Sequence, residues 1–187
     1  MPIIARNNGK AYEPLPIGVV QAVCAFVEDI GTHENTFQGK PIQKHQVVVC
    51  WEINSQMTNG EYAGKRFMVS KFYTLSLNEK ANLRKDLENW RGKAFTEEEL
   101  AGFDVERLKG INCMLNIVEY KKLDGTTSQR PSAIMPCIKG LEKMIPENTT
   151  VPAWIDEMRN NSLEAHENRV NSGVDAQPTA TDDGLPF

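Results

Sequence analysis

A chain of 187 residues, 40% hydrophobic and 25% charged, has the composition of one folded domain with an appendage and excludes a low-complexity or fibrous polymer. No apolar run reaches the length of a membrane span or a secretory leader, which predicts an intracellular protein. The net charge of −4 is unevenly divided: residues 1–140 carry 18 Lys+Arg against 16 Asp+Glu, and residues 141–187 carry 3 against 9.

After an arm at residues 1–15, two β-type runs come first, at 17–29 (IGVVQAVCAFVED) and 46–53 (QVVVCWEI). The glycines and proline between them predict a long hairpin connection. In the second run Val47, Val49, Trp51 and Ile53 fall on one face and Gln46, Val48, Cys50 and Glu52 on the other. Trp51 therefore belongs to the core. A third strand is predicted at 66–75. From Asn78 the period changes: Leu83, Leu87 and Trp90 recur at helical spacing and Gly92 ends the run. Thr96 opens TEEEL, a capping box that predicts a second short helix. Strand character returns at 111–120, with Ile111, Cys113, Leu115 and Ile117 on one face, and again at 133–141 after the loop KKLDGTTSQRPS. Val151 to Met158 predicts a short helix that docks on the body, and the polar stretch from Asn160 onward predicts disorder.

Three strands, a helical insertion and two strands is the order of a five-stranded OB-fold barrel, and other small barrels and α+β sheets share it. The expected organisation is an arm (1–15), the barrel (16–145), a docking helix (146–160) and an acidic tail (161–187). The scattered cysteines Cys24, Cys50, Cys113 and Cys137 read as core thiols, and His33, His45 and His166 add no ligand spacing, so neither metal nor other cofactor is expected. No nucleophile elbow, phosphate loop or zinc-protease motif is present, so the sequence offers no argument for an enzyme.

A mildly basic body with an acidic tail suits a nucleic-acid binder, and equally a tail that only solubilises. Binding a single strand needs cations for phosphates and aromatic faces for bases. The hairpin offers Phe37, Lys40 and Lys44 beside His33 and His45. The third strand offers Lys65, Arg66, Lys71, Phe72 and Tyr73, and the last loop Lys121, Lys122 and Arg130. Phe72 and Tyr73 must point to opposite faces. The side shared with Lys71 favours Tyr73 outward, although Phe67 and Val69 lie there too. Lysines of this kind are also ordinary solvated surface.

The run FYTLSLNEKANLRKDLENWRGKAFTEEELAGFDVERLKGINCMLNIVE, framed by QVVVCWEI, resembles phage-encoded single-stranded DNA-binding proteins of OB-fold type over residues 17–141. The ending DDGLPF is similar to the acidic C-terminal tip of bacterial single-stranded DNA-binding proteins. It has Gly184 where a third acid is common and Leu185 where isoleucine is common. The resemblance implies coating and protection of DNA strands during replication, recombination and repair in a bacterial cytoplasm, including that of a phage-infected host. It also implies capture of replication and recombination proteins through Asp182, Asp183, Leu185, Pro186 and Phe187, and it is compatible with self-association. The rivals are an OB-type module that binds protein, such as a replication adaptor, and a hydrolase with dispersed carboxylates.

Overall fold

A computed structural model describes residues 13–171, except for the side chains at 169 and 170. The architecture is mainly β: a five-stranded antiparallel sheet in the order β3-β2-β1-β4-β5, with a few short helices. The strands are β1 (Gly18–Phe37), β2 (Lys40–Gln56), β3 (Arg66–Thr74), β4 (Asn112–Lys121) and β5 (Thr127–Pro136). The edges β3 and β5 touch without forming a ladder, so the sheet is curled but not closed.

Alternation determines what each face packs against. Val49, Trp51 and Ile53 of β2 join Cys24, Leu115 and Ile134 in the main core, and Trp51 is fully buried. Helix α1 (Asn82–Arg91) seals this core with Leu83, Leu87 and Trp90, and Gly92 ends it in the left-handed conformation at φ 67°. Thr96 and Glu99 form the expected capping box on α2 (Glu97–Ala101), followed by a 3-10 turn at Val105–Leu108. Cys24, Cys50 and Cys113 are buried, and burial raises all three thiols, Cys50 to about 12. They pack as small apolar groups.

Three elements differ from expectation. The predicted hairpin loop is strand: β1 and β2 continue to Phe37 and Lys40 and turn through Gln38 and Gly39, at φ 50° and 76°. Positive φ at both central residues matches the right-handed twist of a two-residue hairpin, which lets a polar sequence stay paired. The last strand lies at Thr127–Pro136, earlier than 133–141, because pairing with β4 draws the residues after the 122–126 turn into the ladder. Finally, residues 161–171 are not irregular. After α3 (Ala153–Asn160) comes α4 (Leu163–Asn171), which packs on β1. Residues 1–12 of the arm and residues 172–187 of the tail, with the tip Asp182–Phe187, lie outside the described residues.

Candidate nucleic-acid interface

The outer face of the sheet is not open from end to end, and buried polar side chains explain why. Gln21 Nε2 donates to the Glu142 carbonyl at 2.7 Å, and Asn112 exchanges bonds with the Met144 backbone at 2.8 and 2.9 Å. Glu52, fully buried, accepts from the Glu147 amide at 2.9 Å, the Asn148 amide at 2.7 Å and Asn148 Nδ2 at 2.8 Å. A buried carboxylate is tolerated only when its oxygens are satisfied in this way. Together these groups lay residues 142–148 across the sheet. Helix α3 follows, seating Ile155 on Phe26, Ile30, Val48 and Cys50. A signal for Glu52 was present in QVVVCWEI, where one acid interrupts an apolar strand.

Several predicted binding residues serve this scaffold instead. Arg66 pairs with Glu147 at 3.0 Å and Glu52 at 3.5 Å and donates to the Ile145 carbonyl, which leaves its side chain 19% exposed. Lys71 pairs with Asp86 at 2.6 Å. Tyr73 faces inward, not outward: it is buried, its hydroxyl donates to Asp86 Oδ2 at 2.7 Å, and burial with the Asp86 charge raises its phenol. Phe67, Val69, Lys71 and Tyr73 share the face that α1 caps. Lys71 therefore marks the core side there, its stem buried and its amine reaching Asp86 at the rim. Phe72 is the exposed member of the pair, at 43%.

Other predicted residues do come together. Beyond the Gln46–Thr74 pair, which ends the ladder with β3, β1 and β2 run on alone for six residue pairs, Thr32–His45 to Phe37–Lys40. That is a two-stranded ribbon of about 20 Å. Residues directly opposite share a face, so the pairs His33–Lys44, Asn35–Ile42 and Phe37–Lys40 line one side. Phe37 is 58% exposed, and neither Lys40 nor Lys44 makes a side-chain hydrogen bond or ion pair among the described residues. His33 turns back to the Ile30 carbonyl at 2.8 Å, and His45 lies on the opposite side, bonded to Asp29 and Thr32.

An isolated ribbon is marginal in water, and α4 supports this one at its base. The Glu164 carboxylate accepts from the Thr32 amide at 2.8 Å and from the Thr32 hydroxyl, which hold its carboxyl down to about 2. Gly31 allows the approach. Its φ is 80°, and a Cβ there would lie 2.5 Å from Ser162 Cβ.

The β4–β5 hairpin forms a second basic projection. Lys121 and Lys122 are exposed, and the Arg130 guanidinium lies 4.6 Å from the centre of the Tyr120 ring, an aromatic the sequence did not single out. Lys65, in the β2–β3 loop, is exposed over Tyr62 at 5.4 Å. Among the described residues no three His, Cys, Asp or Glu side chains converge in a way that could hold a metal. No helix among them is long and apolar enough to cross a membrane. No protein-family model matches the chain, and no curated protein matches it.

Proposed function

We propose that the chain binds single-stranded DNA without catalysis, holding it on the ribbon and the β4–β5 hairpin of an OB-type barrel left open between β3 and β5. The strand order supports the barrel reading, because closing the β3 and β5 edges that already touch would complete the five-stranded OB ring. The observation that carries the function is the ribbon face. Phe37 and Lys40 are exposed, Lys44 is half-buried, and neither lysine is committed to a partner among the described residues, all on one side of a projection that contributes little core. Unpaired cations flanking an exposed ring are what a strand needs for phosphates and bases. The remainder of the proposal, coating DNA during replication, recombination and repair and recruiting proteins through Asp182–Phe187, rests on the resemblance.

The test is an oligonucleotide titration across a range of salt. Binding should weaken as salt rises, with about 0.7 of log–log slope for each phosphate neutralised. The double charge reversal Lys40→Glu and Lys44→Glu should weaken binding to all sequences and reduce that slope by about 1.4. An affinity for single strands that salt leaves unchanged, or no affinity, would refute the reading.

A protein-docking module is favoured by a different observation. Ile17 and Val19 are 62% and 57% exposed at the start of β1, on the outer face that the strap at 142–148 leaves bare. A chain that ignores oligonucleotides would point there.

A further inference from the structure

The outer face of β2 continues past the ribbon in the same alternation. From the tip inward its rows are Lys40–Phe37, Ile42–Asn35, Lys44–His33, Gln46 with Thr74, and Val48 with Phe72. Those eight steps along β2 span about 26 Å. The row at Val48 is where α3 crosses, and Trp154 from that helix meets Phe72 there. The ring centroids lie 5.9 Å apart in an edge arrangement, with Trp154 37% and Phe72 43% exposed.

We propose that Trp154 is a base-stacking residue, contributed by the C-terminal helix to the inner end of a strand track that runs past Lys44 and Lys40 to Phe37. This rests on the strand-binding reading and adds a residue and a boundary to it. The helix that covers the sheet face does not close the track but supplies its terminal ring. Three observations support a nucleobase as the occupant. Two half-exposed rings held edge to face form a rigid aromatic wall, and every base has a π-face to lay on one. The Trp154 indole N–H makes no hydrogen bond among the described residues, so it is available to an incoming group. Aromatics at both ends of the strip, with Lys40 beside the outer ring and Lys44 between the two ends, fit a segment of a few nucleotides, the low end of what such barrels hold.

The tryptophans make this testable in the intact chain. Trp51 and Trp90 are 0% and 4% exposed, so of the chain's three tryptophans only Trp154 can touch a ligand. An oligothymidylate is titrated while its own fluorescent label reports anisotropy and the protein reports tryptophan emission. Emission should be quenched in step with the anisotropy rise. The quench should vanish in Trp154→Phe, which keeps a ring and the packing on Phe72, while that protein still binds. Trp154→Ala should weaken binding by roughly 5- to 100-fold, the range for losing one stacked base. An anisotropy rise with unchanged emission, or a quench that survives in Trp154→Phe, would overturn the proposal and leave strand binding intact. No anisotropy rise at any salt would overturn both.

Discussion

Glu52 is the residue whose removal should tell most about how the C-terminal segment is held. Its Oε1 accepts from the Asn148 amide and Nδ2 at 2.7 and 2.8 Å, and its Oε2 accepts from the Glu147 amide at 2.9 Å and faces Arg66 at 3.5 Å. Glu52→Ala leaves three donors without an acceptor and takes one of two carboxylates from Arg66, which keeps Glu147 at 3.0 Å, in a site where Glu52 has no exposure. Breaking a buried charged pair in this way costs about 3–5 kcal/mol. Glu52→Gln keeps one acceptor oxygen but turns an NH2 toward Glu147 N or Arg66, so it should cost less, about 1–3 kcal/mol for one group left unsatisfied. Urea denaturation of the three proteins measures both values. Limited proteolysis should find residues 142–171 cleaved early in Glu52→Ala, because the strap leads directly into α3. The loss should change little with salt, since a dry site is screened weakly. A loss below about 1 kcal/mol for Glu52→Ala, with the strap still protected, would refute the view that this carboxylate fastens the segment.

Gly31→Ala should destabilise by at least the left-handed backbone cost of about 1–2 kcal/mol. Ser162→Gly in the same chain should recover the part due to the 2.5 Å approach, as thermal melts of the single and double variants will show. The Glu164 carboxyl is lowered from 4.5 to about 2 by the Thr32 hydroxyl and amide, so its contribution is present above the unfolded value and lost as pH falls from about 4.5 through about 2. Amide exchange at Thr32 should therefore accelerate across that window, and Glu164→Gln should remove the acceleration. Tyr73→Ala should cost about 3–5 kcal/mol as a buried aromatic, whereas Phe72→Ala, half exposed, should cost about 1 kcal/mol; denaturant midpoints that reverse this order would place the two side chains wrongly. Lys121→Glu with Lys122→Glu should shift the melting temperature little but weaken oligonucleotide binding and flatten its salt slope. An unchanged slope would remove the β4–β5 hairpin from the interface.

Local signals determined much of this protein from the sequence. The period-two pattern of QVVVCWEI sorted Val47, Val49, Trp51 and Ile53 to one face and Glu52 to the other. The 3.6-residue period placed Leu83, Leu87 and Trp90 on one side of α1, and Thr96 and Glu99 announced the start of α2. Such features depend on neighbours within a turn or a strand, so composition and spacing carry them. What only the tertiary structure decided concerns which face of an element meets what. Alternation showed that Phe72 and Tyr73 diverge but not which face α1 would cap, and Lys71 misleads because its amine finds Asp86 at the rim of the core. Arg66 looks like a free cation until residues 145–148 arrive from far along the chain to claim it. Lys40, Lys44 and Phe37 come to share one side of a ribbon because the turn at Gln38-Gly39 sets the register of polar strands whose own pattern specifies it weakly. The polar residues 161–171 become a helix because Glu164 bonds Thr32 and Ser162 packs closely on Gly31 of β1, and a short helix gains most of its stability from such contacts rather than from its own propensity.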